Sequence, residues 1–263
     1  MKYLVFQGGL GNQIFEYGFY SYIKQSMPNV KYVFDDGNSH NGFELDKWFN
    51  VDIRKANFFV CILFSLLRLL RDKGIRNFIK TEDQYPEENG LFLSGYWQDK
   101  KYFKKGFIEF KELPLSDKNA EIISLMTRTN SVAIHLRRGD YLRPPYDKIY
   151  GGICTLEYYK KAINIVEQNF ENPSYFIFSD DINWVKENLN IKNANYIDWN
   201  TGKDSIYDMY LMSKTKANII ANSTFSFWGA FLNTNNTLTV CPKQWFFSTL
   251  KDPDIIPDNW IKI

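Results

Sequence analysis

The sequence predicts an α/β protein built from two strand–helix domains. Short continuous apolar runs alternate with amphipathic stretches through the second half of the chain, which is typical of a parallel sheet covered by helices on both faces. A first apolar run near the N-terminus leads into a glycine-rich turn and a helical stretch, and so repeats this order more weakly. The 263 residues, 44% of them hydrophobic, suffice for one or two domains with a packed core.

The N-terminal domain is predicted to open with a strand, a turn, a helix and a second strand, at 3–6, 8–12, 13–24 and 31–34. The second strand ends at Asp35 and Asp36. Residues 48–113 are expected to form helices and loops. The Leu-Pro-Leu-Ser segment at 113–116 marks the domain boundary, which gives domains of 1–115 and 116–263.

The most apolar segment of the chain, residues 58–70, is predicted to be a buried helix of the N-terminal domain. It is shorter than the ~20 residues that span a bilayer. The alternative is a helix that lies on the membrane, which would make the protein peripheral to the inner face of the cytoplasmic membrane. In that interpretation four cations face acidic headgroups: Arg68, Arg71, Lys73 and Arg76.

The C-terminal domain is predicted to contain strands at 131–136, 175–178, 196–197, 218–221 and 238–241. Helices are predicted at 156–170, 182–189, 204–214 and 225–232. In parallel sheets of this kind, ligands bind at the carboxyl ends of the strands. We therefore expect the functional residues where these strands end.

Charge and cysteine content exclude several classes of protein. The 32 Lys and Arg nearly balance the 30 Asp and Glu, which argues against a general nucleic-acid-binding protein. The two histidines, His40 and His135, are too few and too separated for a recognisable zinc site. The three cysteines are odd in number and far apart: Cys61, Cys154 and Cys241. Together with an opening apolar run too short for a signal peptide, they favour a reduced, cytoplasmic protein.

The glycine-rich turn after the first strand allows three interpretations. Residues 9–14 read G-L-G-N-Q-I, which comes close to the dinucleotide-binding fingerprint, and the Asp pair at 35–36 follows where a ribose-binding acid would stand. The isoleucine in place of the third glycine and the Asn-Gln pair count against that interpretation. A turn without a ligand and a site for another anion or a sugar are the two alternatives.

The strongest local signal is the H-L-R-R-G-D-Y run at 135–141, where the first strand of the C-terminal domain ends. A planar guanidinium fork binds phosphate oxygens through two hydrogen bonds, and Asp140 can hold one guanidinium in place. The adjacent Arg137 and Arg138 therefore indicate an anion site. The alternative is a structural Arg–Asp ion pair.

Two further segments follow later strands. The N-S-T-F run at 222–225 would begin a helix, whose N–H groups, hydroxyls and dipole favour an anion; the alternative is an ordinary capped helix with core aromatics. The S-D-D run at 179–181 could offer a carboxylate to a base or ribose, or cap the next helix. Asp252 and Asp254 have a metal-binding spacing but lie in a Pro-rich tail, so no metal site is predicted.

Taken together and in this order, the G-G-L-G-N-Q, H-x-R-R-G-D-Y, S-D-D and N-S-T-F-S-F-W-G segments resemble those of bacterial α-1,2-fucosyltransferases, glycosyltransferase family 11. The resemblance extends from residue 8 to residue 229, with Phe227 where the family often has Trp. It implies a GT-B-like α/β fold of two Rossmann-like domains facing a central cleft. It also implies inverting transfer of fucose from GDP-β-L-fucose to the 2-hydroxyl of a galactose-terminated oligosaccharide, lipid-linked acceptors included, with no metal or other cofactor and no nucleic acid.

The resemblance also implies roles for particular residues. Arg137 would neutralise the departing β-phosphate. Arg138, expected to be catalytic as well, would shape that pocket together with Asp140. His135 and Asp180 would lie near the guanine and the ribose of the donor. Its pyrophosphate would be held by Ser223, Thr224 and Phe225. The acceptor domain would present to the cleft a loop that contains Gly9, Gly11, Asn12 and Gln13. Of these, Asn12 would act in catalysis.

No general base stands out, and three carboxylates are conceivable: Glu16, Asp36 and Asp147. Two functions of other classes remain as alternatives. A nucleotide-binding oxidoreductase would use the N-terminal turn for a nicotinamide cofactor, although Ile14 and the arginine pair count against it. A non-catalytic sugar-binding module would explain the 17% aromatic content but not the paired arginines at a strand end.

Overall fold

The structure is a computed structural model that describes residues 2–35, 41–71, 79–82, 90–247 and 251–263. Two compact units make up the chain, Met1–Lys111 and Glu112–Ile263, and we call them the N-terminal and C-terminal units. The division falls just before the boundary expected at 115–116. Four residues named in the sequence analysis lie outside the described residues: Asp36, His40, Lys73 and Arg76.

The N-terminal unit is built on a parallel four-stranded sheet in the order β2-β1-β4-β3. Its strands are β1 (Tyr3–Gln7), β2 (Lys31–Asp35), β3 (Ile79–Thr81) and β4 (Phe92–Ser94). Its helices are α1 (Leu10–Lys24), α2 (Leu45–Trp48) and α3 (Phe58–Arg71). β1 lies inside the sheet, between β2 and β4, and residues 3–6 are buried, so the turn that follows β1 starts from the middle of this unit.

Two features of this unit differ from the expectation. Residues 48–113 contribute two strands, which the sequence analysis did not predict. Each is only three residues long, and each is paired along its length with a neighbouring strand, so partners distant in sequence specify it rather than a local pattern. The helix α1 also begins at Leu10 instead of residue 13, so Gly11 and Asn12 lie in its first turn.

The prediction that residues 58–70 are buried is wrong. The helix itself is present as α3, but Phe64, 3% exposed, is the side chain that reaches the core, alongside the partly buried Val60, Cys61 and Leu67. Seven large apolar side chains of α3 face outward: Phe58, Phe59, Ile62, Leu63, Leu66, Leu69 and Leu70. Apolar residues around nearly the whole helix predicted full burial, whereas the sheet covers only one side of it.

The C-terminal unit contains a parallel six-stranded sheet in the order β10-β9-β8-β5-β6-β7. Its strands are β5 (Asn130–Leu136), β6 (Pro173–Ser179), β7 (Ala194–Ile197), β8 (Ala217–Ile219), β9 (Leu238–Cys241) and β10 (Ile261–Lys262). Its α-helices are α4 (Asp117–Arg128), α5 (Leu156–Asn169), α6 (Ile182–Asn188), α7 (Ile206–Met212) and α8 (Thr224–Phe231). Each strand and helix predicted here is confirmed, with ends shifted by a few residues, whereas α4 and β10 were not predicted.

Burial explains why this half could be predicted. β5 runs through the sheet interior, and residues 131–136 are buried. In β6, Tyr175, Phe176, Ile177 and Phe178 are likewise buried. A strand covered on both faces is apolar at consecutive positions, and this pattern is legible in the sequence.

Candidate functional site

The carboxyl edge of the C-terminal sheet brings together three segments that the sequence analysis singled out. β5, β6 and β8 lie next to one another, and the register places Leu136 beside Ser179. The residues after β5 therefore meet those after β6 on one side and those after β8 on the other. We call residues 137–141, which follow β5, the arginine loop.

Arg137 is held by two carboxylates. Its Nη2 lies 2.9 Å from Asp140 Oδ1, and its Nη1 lies 3.1 Å from Asp180 Oδ2. The guanidinium carries five N–H donors, and its side chain is 34% exposed, so donors remain for a further anion. Arg137 thus forms the structural Arg–Asp ion pair that was the alternative interpretation, and it is also an accessible cation.

Asp180 fixes the shape of the arginine loop. Its Oδ1 accepts the Arg138 N–H at 2.9 Å, while its Oδ2 pairs with Arg137. Gly139 passes so close that a Cβ there would stand 2.6 Å from Asp180 Oδ2, so a glycine is needed at this position. Both oxygens of this carboxylate contact the loop, so Asp180 positions it. A place near the guanine or ribose of the donor, which the resemblance implies for Asp180, stays a prediction.

Arg138 is oriented differently from Arg137. Its guanidinium lies 3.4 Å from the centre of the Trp184 ring, and its Nε donates to Asp181 Oδ2 at 3.1 Å. Asp181 also caps α6, because its Oδ1 accepts the Trp184 N–H at 3.3 Å. The cap predicted for the S-D-D run is confirmed. The sequence analysis missed Trp184, and no local pattern indicates it, because its contact with Arg138 depends on the path of α6.

His135 is a buried, neutral imidazole behind the arginine loop. Burial and the neighbouring Arg137 lower the pKa of His135 to about 3. Its Nδ1 has no hydrogen-bond partner among the described residues, and its ring lies 5.9 Å from that of Phe225. The structure therefore brings together two members of the predicted donor-binding set, His135 and Phe225.

The start of α8 is the third segment at the carboxyl edge of this sheet. Ser223 is buried at the N-cap position and makes no side-chain capping bond, while Thr224 and Phe225 are half-buried. Asn222, which no role had been given, holds the segment: its Nδ2 donates to the carbonyls of Tyr150 and Trp245 at 3.2 and 3.1 Å. The arginine loop is tied to it directly, because the Tyr141 hydroxyl donates to the Asn222 carbonyl at 3.0 Å.

In the N-terminal unit, the glycine turn, residues 8–12, is closely packed by the side chains of Asn12 and Gln13. Gly8 has φ +73°, and a Cβ there would stand 2.9 Å from Asn12 Nδ2. Gln13, expected on a loop, is fully buried: its Nε2 donates to the Gly8 and Gly42 carbonyls, and its Oε1 accepts the Glu44 and Leu45 N–H groups. Gly11 is buried as well. Of the polar side chains at 12 and 13, Asn12 alone is partly exposed, and its Oδ1 accepts from Gln98 Nε2 at 3.4 Å.

The conceivable general bases lie in different surroundings. Glu16 is fully buried, and its two carboxylate oxygens accept the Gln7 N–H at 3.1 and 3.0 Å. Burial raises the pKa of Glu16 well above its usual range. Asp147 lies in a short 3₁₀ turn, Tyr146–Lys148, with a buried Oδ1 that has no hydrogen-bond partner among the described residues. Glu16 is therefore structural, whereas Asp147 stays a candidate.

No cluster of three or more His, Cys, Asp or Glu side chains that could hold a metal occurs in the part of the chain that the structure describes. Asp252 has a different function: its Oδ1 accepts the N–H groups of Trp245 and Phe246 at 2.8 and 2.9 Å. The Asp-x-Asp spacing thus includes a carboxylate that fixes a backbone turn.

Two parallel α/β units, one with an arginine loop at the carboxyl edge of its sheet, are typical of the GT-B-like fold class. The solved structure of NodZ, an α-1,6-fucosyltransferase soaked with GDP-fucose, matches this fold with a TM-score of 0.53. That match covers 88% of this chain and 92% of the other at 12% identity, so it concerns the fold alone.

More particularly, the chain belongs to glycosyltransferase family 11, whose model matches residues 49–263. It is 33% identical to an alpha-1,2-colitosyltransferase of Escherichia coli, over 97% of this chain and 96% of the relative. It is 30% identical to the O-antigen biosynthesis glycosyltransferase WbnK of Escherichia coli, over 99% of this chain and 100% of the relative. The arginine loop and the start of α8 both lie within the matched range.

Proposed function

We propose that this family 11 glycosyltransferase transfers L-fucose from GDP-β-L-fucose to the 2-hydroxyl of a terminal galactoside, with inversion at the anomeric carbon. The observation that carries the proposal is Arg137, an accessible guanidinium held by Asp140 and Asp180 at the end of the central strand β5. Membership of the family, and its colitosyltransferase relative in Escherichia coli, support the reaction class.

The donor would lie along the carboxyl edge of the C-terminal sheet. Arg137 would bind the β-phosphate, and the N–H groups at the start of α8, with Ser223 and Thr224, would receive the other phosphate oxygens. His135, neutral at physiological pH, offers one ring nitrogen as a hydrogen-bonding group to the nucleoside without adding charge. Phe225 would stack beside it.

In the reaction, the acceptor oxygen attacks the anomeric carbon from the face opposite the phosphate. The bond from that carbon to the β-phosphate oxygen breaks, its electron pair stays on the phosphate, and the hydroxyl proton passes to a base. Negative charge therefore grows on the leaving GDP, and a guanidinium already fixed in place stabilises that charge more in the transition state than in the ground state.

We further propose that turnover requires no divalent ion, since Arg137 and the α8 terminus supply positive charge at the phosphates. Arg138 has a supporting part, because its stacking on Trp184 and pairing with Asp181 direct it along α6. Asn12 is proposed to act in the transfer step rather than in donor binding, because it lies in the other compact unit.

A second donor deserves testing because a relative is named a colitosyltransferase. Colitose is L-fucose without the 3-hydroxyl, so GDP-colitose would fit the same phosphate site. The experiment offers GDP-fucose, GDP-colitose and UDP-galactose to the protein with a β-galactoside in excess chelator, and reads the product linkage by NMR. Transfer from GDP-fucose to the 2-hydroxyl supports the proposal. A marked preference for GDP-colitose changes the sugar, and activity that returns only with manganese contradicts metal independence.

A further inference from the structure

Outside the site, the helix α3 has a large exposed apolar surface. We call it the exposed face of α3, and it consists of Phe58, Phe59, Ile62, Leu63, Leu66, Leu69 and Leu70. Phe58 and Phe59 are 72% and 79% exposed, and Leu66 and Leu69 are 54% and 58% exposed. Their spacing of three and four residues places them on one side of the helix. A continuous apolar surface of this kind marks an interaction site.

The opposite side of α3 is fixed to the N-terminal unit. Phe64 packs into the core beside Phe92, with the ring centres 5.2 Å apart, and Arg68 pairs with Asp35 at the end of β2. Asn57 fixes the start of the helix, because its Oδ1 accepts the Val60 N–H at 3.0 Å. The helix is thus held in place with its apolar face directed away from its own sheet.

Charge around this helix is markedly uneven. Between Arg54 and Lys80 the sequence has seven Lys and Arg and a single Asp, a net charge of +6. The remainder of the chain has 25 basic and 29 acidic residues, a net charge of −4. Arg54 and Lys55, which precede the first residue of the helix by four and three positions, are exposed. The apolar face therefore lies within the positively charged segment of an otherwise acidic chain.

We propose that the exposed face of α3 inserts into the interfacial layer of an anionic lipid bilayer, with Arg54 and Lys55 at the level of the headgroups. An apolar helix face beside a basic segment matches such a surface in both hydrophobicity and charge. A second copy of the chain fits less well, because pairing of two such faces would bring two segments of net charge +6 together.

The length of the helix specifies how it contacts the bilayer. Its 14 residues extend about 21 Å, less than the hydrocarbon thickness of about 30 Å. No helix among the described residues meets the length and hydropathy needed to cross a membrane. α3 therefore lies in the plane of the interface and anchors the N-terminal unit without spanning.

The test is flotation of the purified full chain with vesicles of phosphatidylcholine alone or with about a quarter phosphatidylglycerol. The wild type is expected to float with the anionic vesicles. Phe59→Glu/Leu66→Glu should weaken binding at least about 100-fold, since two apolar side chains no longer insert. Arg54→Gln/Lys55→Gln should weaken binding to anionic vesicles about 25-fold and leave phosphatidylcholine binding unchanged.

The matched control is Phe247→Glu, because Phe247 is 62% exposed but lies in the C-terminal unit. It should bind vesicles as the wild type does. Melting temperatures check that each variant folds, and Leu69→Gln provides a milder change on the same face. Failure of the wild type to float, or equal loss in the Phe247 variant, overturns the proposal. So does a concentration-dependent dimer that the Phe59→Glu/Leu66→Glu variant abolishes while vesicle binding persists.

Discussion

The glycine turn and the arginine loop occupy equivalent places in the two units, and they have opposite character. Each follows the first strand of its unit, in the interior of a parallel sheet. The glycine turn is held by Gln13, which is fully buried and donates to the Gly8 carbonyl. The arginine loop instead presents Arg137, about one-third exposed and held by carboxylates. At equivalent places in the two units, Gln13 thus holds the backbone, whereas Arg137 is the residue proposed to bind the donor, and burial distinguishes the two.

The largest effect is expected at Arg137. Arg137→Ala removes a fixed charge-assisted donor, so turnover should fall about 100- to 1000-fold, equivalent to about 3–4 kcal/mol of transition-state stabilisation. Arg137→Lys keeps the charge but loses the planar fork, and should also be strongly impaired. Steady-state kinetics with GDP-fucose measure both effects.

The matched control is Arg128→Ala, an exposed arginine of α4 whose Nε donates to the Ser124 carbonyl. It should leave turnover within about twofold of wild type. A folded Arg137→Ala enzyme with near-normal turnover would remove Arg137 from catalysis. A variant that unfolds would show that the ion pair is structural.

Gln13 should affect stability rather than chemistry. Gln13→Ala leaves buried backbone groups of Gly8, Glu44 and Leu45 without their partner, at about 1–3 kcal/mol each before the structure relaxes. We expect a loss of about 3 kcal/mol in the free energy of unfolding, measured by urea denaturation. Gln25→Ala, at an exposed helix end, should change stability by less than about 0.5 kcal/mol. A stable Gln13→Ala protein with impaired donor binding would mean that the side chain serves the ligand.

Burial of His135 should make the free energy of unfolding depend on pH. Its pKa of about 3 in the folded protein is below the ordinary value of 6.5, so only the unfolded chain takes up this proton between those values. Stability from this group is complete above pH 6.5 and should fall by about 1.4 kcal/mol per pH unit as the pH drops toward 4. The difference between wild type and His135→Gln, followed by urea denaturation from pH 7 to 4, isolates this slope. Parallel curves would contradict burial of a neutral imidazole.

The smallest effect is expected at Asn12. Asn12→Ala should lower transfer about tenfold, as for the loss of one hydrogen bond, while GDP affinity changes less than about twofold. Titration calorimetry with GDP and a transfer assay separate the two quantities. Should GDP affinity fall as much as turnover, the glycine turn would be part of the nucleotide site, and the contrast between the two regions would not hold.

Much of the C-terminal unit could be predicted from sequence because its central strands are covered on both faces. Continuous apolar runs such as the one at 175–178 give both the strand and its carboxyl end, and hence the place of Arg137 and Asp180. The contacts within that edge could not be predicted. That Asp180 holds the loop, and that Trp184 lies under Arg138, depends on the register of β5 against β6 and on the path of α6.

The N-terminal unit was harder to predict for two physical reasons. β3 and β4 are too short to show a period, and their pairing partners are distant in sequence or separated by a long connection. In α3, hydrophobicity alone does not tell which apolar residues meet a core, so the outward side of the helix was misassigned. Gln13 gave no sequence signal, since a buried glutamine and a ligand-binding glutamine in a glycine-rich turn look the same.

Hydrogen exchange with and without saturating GDP tests whether the donor binds at the carboxyl edge of the C-terminal sheet. Binding at that edge should slow exchange in peptides that cover residues 137–141 and 223–227 and leave exchange at residues 9–13 unchanged. Protection centred on residues 9–13, with the arginine loop unaffected, would contradict it and would assign the nucleotide to the N-terminal unit.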